Sequence, residues 1–394
     1  MDCLCSLIGE SSVNFFLSDV YEQRMAHYAG VLKGAMGFSL DEFEAILGMP
    51  GLRPYLRLVA NQVEDYDPKI VANDGHLCKP YVLSRFHEGA SIVVNEVHRF
   101  SSQLMDLASS LSEELGVQCV VNAYLTPPQS VALSPHFDSH DIFALQVVGQ
   151  KQWFVDSELS SLTTKSTFQP ILSADQASSV DFREVVMDEG DVMYLPRGCV
   201  HHARTISCQS MHLTVGLYPL EWSEFIASAV EIAASAPEAR GLRTSVPLGL
   251  KRQHPSFYRQ ELLDRLSGLF TDDVIEKALR SREKEFSAGQ PSSFVGGLDA
   301  DSWPAGSIAS DDAFERCAEA VYFYPAVSGL RVVSSGYGFT LKHPNPDRIL
   351  KVLSHKKFFT LGELTGGDEC SLNDIACIQA LLRRGILRRY RNAI

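Results

Sequence analysis

The sequence predicts an α+β protein: a small antiparallel barrel or sandwich, then a helical stretch, then a separate basic unit of helices and a strand. Three observations carry this. Between residues 117 and 218 many short runs alternate with a period of two, and several place polar side chains on one face and apolar ones on the other, as in a barrel that holds a ligand. Beyond about residue 221 the alternation gives way to helical spacing. The charge then changes sign: residues 331–394 hold eleven Lys/Arg against five Asp/Glu, a net +6 that leaves −19 for the remainder of a chain whose total is −13.

Taken in order, residues 14–33 read as an apolar opening followed by a helix. Residues 39–48 read as a capped helix, with Ser39 at the N-cap and Glu42 three on. Residues 60–79 are polar and irregular, expected as loop with short strands. Ile92-Val93-Val94 is a strand. Residues 101–115 place Leu104, Leu107, Ala108, Leu111 and Leu115 on one helical face, and Gly116 stops that helix. From Val117 the period becomes two: Cys119, Val121, Ala123 and Leu125 face one way, Val120, Asn122 and Tyr124 the other. An Asn and a Tyr together mark either an edge strand with one wet side or the wall of a polar cavity. Thr126-Pro127-Pro128 ends this strand.

Residues 142–148 and 151–155 read as two strands of a hairpin joined by Gly149-Gln150. Residues 157–180 are rich in Ser, Thr and Gln and read as a surface loop. Glu189-Gly190-Asp191 is a tight turn, and Pro196-Arg197-Gly198 forces another just before Val200-His201-His202. His212, Thr214, Gly216 and Tyr218 then share one strand face opposite Leu213, Val215 and Leu217. Helices are expected at 222–234, 256–270 and 272–287, a Gly/Pro/Ser/Ala-rich linker at 287–311, and helices again at 346–355, 360–364 and 371–384. Gly385 caps the last, and residues 386–391 form a strand; helix, turn, helix and strand in this order suggest a winged helix.

Composition bounds the function. At 394 residues two or three domains are expected. The acidic total argues against non-specific nucleic-acid binding by the whole molecule. No apolar run approaches the length of a membrane span, and Met1-Asp2-Cys3-Leu4-Cys5 lacks the basic start of a secretion signal. Nine cysteines without C-x-x-C spacing fit reduced thiols, so the expected compartment is the cytoplasm.

The residues that bear chemistry are Ser134-Pro135-His136-Phe137-Asp138 and, much later, Pro196 through His201. In a strand His136 and Asp138 point to the same face. With a distant second imidazole they would make the two-His-one-carboxylate facial triad of non-heme Fe(II) oxygenases, which leaves coordination positions open on the metal's other side. His202 neighbours His201 but points the other way if Val200 to His202 is extended, so His201 is the preferred ligand. His140 is two past Asp138, and an exposed rim position is expected for it, with a second-shell or substrate role also open. Lys151, at the start of a return strand, is either solvated or faces an anion.

These blocks resemble a known family, the JmjC-type (cupin-like) ribosomal oxygenases. The resemblance is sharpest over Asn122-Ala123-Tyr124-Leu125-Thr126-Pro127-Pro128, Pro135 through Asp138, Gly149-Gln150-Lys151-Gln152-Trp153, Gly190 through His201, and His212-Leu213-Thr214. It implies a double-stranded β-helix (jelly-roll) catalytic domain over 1–221, a helical dimerisation region and linker over 222–311, and a winged-helix domain over 312–394. It also implies an Fe(II)- and 2-oxoglutarate-dependent dioxygenase that hydroxylates an amino-acid side chain in a protein or peptide, with a basic ribosomal protein as the substrate that suits the acidic body.

Carried over residue by residue, the resemblance makes His136, Asp138 and His201 the iron ligands. Lys151 becomes the partner of the distal carboxylate of 2-oxoglutarate, with Asn122 and Thr214 lining the same pocket. Tyr124 and Gly216 fall on the substrate side. Gly216 matches the arginine-hydroxylating members and Lys151 the histidine-hydroxylating ones, so the target amino acid stays open. The alternatives are hydroxylation of a natural-product peptide or free amino acid, lysyl demethylation, or a ligand-sensing DNA-binding regulator without catalysis. A homodimer is expected, and neither nucleic acid nor membrane as a partner.

Overall fold

The computed structural model describes residues 3–32, 37–60, 63–131, 133–158, 162–164, 172, 174–237, 239–246, 254–289, 312–316, 321–326, 329–334, 337–356, 358–366 and 371–389. The chain forms two compact units, Met1–Pro219 and Leu220–Ile394.

The first unit contains β1 (Ala26–Tyr28), β2 (Leu56–Ala60), β3 (Val63–Glu64), β4 (Ser91–Val94), β5 (Gln118–Thr126), β6 (Asp141–Val148), β7 (Lys151–Asp156), β8 (Phe182–Met187), β9 (Val192–Leu195), β10 (His201–Thr205) and β11 (Ser210–Tyr218). The larger sheet runs β1-β9-β6-β11-β5-β4-β2-β3 and the smaller β10-β7-β8. All the pairings are antiparallel.

The pleat sorts side chains to the two faces of the large sheet. Cys119, Val121, Ala123, Leu213 and Val215 join the main core with Phe16, Phe43, Leu104 and Leu111 from the helical segments that cover it. Ile142, Ala144, Met193 and Leu195 meet Trp153, Val155, Val185 and Met187 of the smaller sheet in a second core. Burying a side chain of this size stabilises by about 1.5–3 kcal/mol.

The helix at Leu40–Leu47 starts as its sequence dictates, with Ser39 Oγ accepting from the Glu42 N–H at 3.2 Å. The helix at Ser102–Leu115 ends at Gly116, whose φ of 65° only glycine adopts readily.

Four expectations are corrected. The helix expected to follow the apolar opening of residues 14–33 does not form: helical turns cover the opening and end at Val20, and Ala26–Tyr28 is instead a strand on β9. Asp191 captures it: its carboxylate accepts from the Gly30 N–H at 2.7 Å and pairs with His27 Nε2 at 2.9 Å. Second, Gly149-Gln150 does not close a hairpin, because β6 pairs with β9 and β11 whereas β7 pairs with β8 and β10. The turn hands the chain from one sheet to the other. A Cβ on Gly149 would lie 2.4 Å from the Gln209 carbonyl oxygen, so that crossing needs glycine.

Third, the His136 segment is not a strand: a single antiparallel bridge to His201 holds it. Fourth, the second unit holds more than the one strand expected there, at 386–391. The second unit contains β12 (Ala313–Arg316), β13 (Val321–Ala326), β14 (Gly329–Ser334), β15 (Tyr337–Lys342), β16 (Phe358–Thr360) and β17 (Leu387–Arg389).

In that unit the helices at Trp222–Ala234 and Asp272–Gly289 pack through Ala229, Ala233, Val274 and Ala278, side chains small enough for close approach. Between them in sequence lies the helix at Pro255–Leu266. The linker expected at 287–311 falls mostly outside the described residues. Further on, β12 lies between β16 and β17, and β13-β14-β15 make a separate meander. The helices Pro346–His355, Leu361–Thr365 and Leu372–Leu382 fall where the sequence places them, and share a core of Phe314, Leu330, Ile349, Leu353, Leu364, Ile378 and Leu381.

Candidate metal centre and its pocket

Two distant segments are tied together backbone to backbone. The His136 N–H donates to the His201 carbonyl at 3.1 Å and the His201 N–H returns to His136 at 2.7 Å. This exchange sets the imidazoles side by side, ring centroids 4.5 Å apart. Gly198, with φ of 85°, turns the chain so that its N–H donates to the Asp138 carbonyl at 3.0 Å. One His, one Asp and the second His thereby converge, with ligand atoms of all three within 4.8 Å of one another.

The hydrogen bonds select the tautomers. His136 Nδ1 donates to the Ser134 carbonyl at 2.7 Å and His201 Nδ1 to the Cys199 carbonyl at 3.0 Å. Both Nε2 lone pairs are left bare, the state a metal requires. His201 Nε2 lies 3.6 Å from Asp138 Oδ2. Two adjacent donors on an octahedral ion, each about 2.1 Å from it, would stand about 3 Å apart, so the spacing fits a divalent cation. Burial, with His136 adding to it, pushes the His201 imidazole down and keeps it neutral.

A further network anchors both arms. Asp141 is fully buried at the start of β6 and accepts from Tyr194 Oη at 2.7 Å and Arg197 Nη1 at 2.9 Å. Arg197 also binds Glu22. Burial pushes the Asp141 carboxyl up, and its donors offset this only in part. Arg197 is raised too, because Glu22 and Asp141 together outweigh its own burial. Asp141 also accepts from the Arg197 N–H at 3.3 Å, and a carboxylate with no exposed surface, these three donors and a guanidinium beside it is ionised and paired.

The cluster opens into a cavity of about 280 Å³. Asn122, Tyr124, Lys151 and Thr214 all line it, so the polar face of β5 is the wall of a cavity. Asn122 and Thr214 are directly opposed on β5 and β11, as are Tyr124 and His212. Lys151 is 3% exposed, with Nζ 3.1 Å from Thr126 Oγ1 and 3.1 Å from His212 Nδ1. Among the described residues no carboxylate pairs with it, and burial pushes its ammonium down to about 7.

His202 also reaches the cavity, but it is absent from the cluster of potential ligands. Its ring stacks on Phe154 at 4.6 Å and meets Phe182 edge-on at 5.1 Å. His140 departs from the expected exposed rim: it is partly buried in the cavity wall, stacked on Tyr218, directly over Gly216.

Among the lining residues that escaped the sequence reading are His212, Trp153 and Arg57. His212 carried a signal, since it shares a strand face with Thr214; it stacks on Tyr124 at 4.8 Å. Trp153 lies edge-on to His212 at 5.2 Å. Arg57, from β2, reaches the cavity while its Nε pairs with Glu64 at 2.8 Å, and nothing local in Leu56–Ala60 marks it.

Comparison with known proteins agrees with this architecture. Residues 94–225 match the JmjC domain model. Ribosomal oxygenase 1 of Danio rerio is 32% identical over 206 residues, which is 50% of this chain and 36% of that protein. A bifunctional lysine-specific demethylase and histidyl-hydroxylase NO66 of Aedes aegypti is 27% identical over 228 residues, 54% of this chain and 36% of that protein. The chain thus spans little more than a third of the length of these curated relatives. Among solved structures, Escherichia coli ycfD superposes with a TM-score of 0.58 at 13% identity, covering 96% of this chain and 98% of that one. Another structure of that protein, a ribosomal oxygenase in complex with cobalt and 2-oxoglutarate, gives a TM-score of 0.53 at 15% identity over the same shares of the two chains.

Proposed function

We propose that this JmjC-domain protein, a relative of the ribosomal oxygenases, is an Fe(II)- and 2-oxoglutarate-dependent oxygenase that hydroxylates a side chain in a protein or peptide. The observation that carries the reading is Lys151. A buried lysine with no carboxylate partner among the described residues, in one cavity with a His136–Asp138–His201 cluster, calls for an anion that also reaches the metal.

2-Oxoglutarate meets both demands. Its distal carboxylate would pair with Lys151 and its keto-acid end would face the cluster. Asn122 Oδ1 already accepts from the Glu96 N–H at 2.9 Å, so its amide nitrogen points the other way, toward Tyr124 and the cavity where the cosubstrate would sit. Thr214, opposite it, supplies a hydroxyl. When bound, iron and 2-oxoglutarate supply the activation of dioxygen that delivers oxygen to a substrate carbon. The chain's own part is to hold and orient: His136, Asp138 and His201 as ligands, Lys151 as the point charge, Tyr124 beside the substrate, and Trp153 with the second core excluding water.

The substrate fits a basic protein segment, such as one from a ribosomal protein, because residues outside the basic tail sum to −19. In the second unit, residues 222–311 would serve dimerisation. Trp222 is 78% exposed there and Ile226, Leu262 and Leu263 also face solvent, an apolar surface suited to a second copy. Residues 312–394 would be the winged-helix domain. Its positive charge is partly neutralised, as Arg348, Lys356, Arg388 and Arg389 sit on Asp374, Glu363, Glu315 and Asp312. That weakens the DNA-binding alternative. No described helix is long and apolar enough to cross a membrane; residence in the cytoplasm is part of the proposal.

The test is succinate formation from 2-oxoglutarate under air with added Fe(II) and a pool of basic ribosomal peptides, beside Asp138→Ala. Iron-dependent succinate that the variant lacks, with a peptide gaining one oxygen in mass, is the expected result. No succinate and no 2-oxoglutarate binding would overturn the reading.

A further inference from the structure

His140 occupies a place that nothing in the metal or cosubstrate chemistry requires. It lines the cavity together with Tyr124, yet it is not among the groups that could hold the metal. Its ring stacks on Tyr218 with centroids 4.4 Å apart and planes at 18°. Beneath it lies Gly216 in the middle of β11. A Cβ there would stand 2.7 Å from His140 Cδ2 and 2.9 Å from Nε2, closer than such atoms come. Gly216 sits in a regular strand paired on both sides, to Val120 and Ile142, so its missing side chain serves space and not backbone conformation. Neither ring nitrogen of His140 makes a hydrogen bond among the described residues, although the ring is held on one face and partly buried. An aromatic ring fixed by a stack, seated in a notch, with unpaired nitrogens at a cavity wall, is arranged to meet something that enters the cavity.

We propose that His140, seated over Gly216 and against Tyr218, is the specificity-determining residue of this pocket: the target side chain packs on its ring and hydrogen-bonds one of its nitrogens. Gly216 is then a positioning residue that acts only through His140. The proposal rests on the oxygenase reading for the identity of the incoming group as a substrate side chain, but not for its geometry. A site built to hydrogen-bond a side chain rejects an isostere lacking that group, because its own polar atom is left unpaired.

The experiment uses the full chain loaded with Mn(II) and a panel of fluorescent peptides of one basic frame whose central residue is His, Asn, Gln, Arg, Lys or Leu. Binding is read by anisotropy, and thermal melting is recorded on the same samples. Wild type is expected to bind at least one hydrogen-bonding residue tenfold or more tighter than Leu. His140→Phe, which keeps the stack and removes the nitrogens, should bring that ratio within twofold. His140→Asn should restore part of it, and Gly216→Ser should lower it by displacing the ring. A wild-type ratio near one, or a His140→Phe ratio equal to wild type, would overturn the proposal. Succinate formation measured in parallel keeps the two readings apart: discrimination without iron-dependent succinate would sink the oxygenase and leave the pocket's selectivity standing.

Discussion

Lys151 Nζ lies 3.1 Å from Nδ1 of His212, so a buried ammonium at the head of β7 leans on a buried imidazole of β11. Burial, with the lysine's charge and His201 adding to it, holds His212 well below its ordinary pKa, and a neutral ring accepts from the lysine. Thr126 Oγ1, 3.1 Å away, is the second neighbour. Both are dipoles that steady the charge without neutralising it, which leaves the ammonium available to an anion in the cavity.

The pH dependence of cosubstrate binding follows. Burial alone lowers Lys151 to about 7, and a bound dicarboxylate would raise it again. Affinity for 2-oxoglutarate should therefore be highest below pH 7 and fall above it, with a limiting slope of about tenfold per pH unit. Titration calorimetry between pH 6.5 and 9 reads this, and proton uptake on binding should grow across the same window. The unliganded protein should behave oppositely: the unfolded lysine binds a proton that the folded one has shed, so stability rises with pH between about 7 and the ordinary lysine value. An affinity flat across this range would show that Lys151 is not the anion's partner.

The metal should discriminate between two adjacent histidines. His201→Ala and Asp138→Ala are expected to weaken Co(II) binding by more than the roughly 10–100-fold that loss of a supporting hydrogen bond costs. His202→Ala, which removes only a ring stacked on Phe154, should change it by less than about threefold. Visible absorption of the Co(II) protein measures both. Equal losses at 201 and 202 would refute the assignment of His201.

Arg197 should matter more to stability than to chemistry. It is buried between Asp141 and Glu22, and its removal leaves a fully buried carboxylate short of its cation. Arg197→Ala is expected to cost about 3–5 kcal/mol in urea unfolding. Since it also frees the turn that places Gly198 on Asp138, Co(II) affinity should drop as well. A variant as stable as wild type would mean that the network is not what anchors the turn.

The exposed face of the helix at Trp222–Ala234 offers a test of assembly. Trp222 and Ile226 lie one turn apart and are both exposed. If that face joins two copies, the double change Trp222→Asp and Ile226→Asp should shift sedimentation from dimer to monomer while leaving the far-UV signal unchanged. A wild-type chain that sediments as a monomer at tens of micromolar would remove the dimer from the proposal.

Much of this site was legible in local patterns, because the pleat of a strand assigns alternate residues to opposite faces wherever the strand ends up. Asn122 and Tyr124 fall on the cavity side and Val121 and Ala123 in the core for that reason alone, whereas His201 and His202 both reach the cavity and only His201 joins the ligand cluster. What sequence could not settle is which strands become neighbours. The bond pair between His136 and His201 joins segments 65 residues apart, the β6 and β7 partners are set by strands further along, and β1 exists only because Asp191 and β9 receive it. The same holds for burial. Lys151 loses water, and His140 turns inward, because side chains from distant strands close around them and because Gly216 leaves a gap. The sequence determined the residue types, their faces and the chemistry they can perform. Tertiary structure decided their convergence and desolvation, since those depend on contacts between strands that no local period encodes.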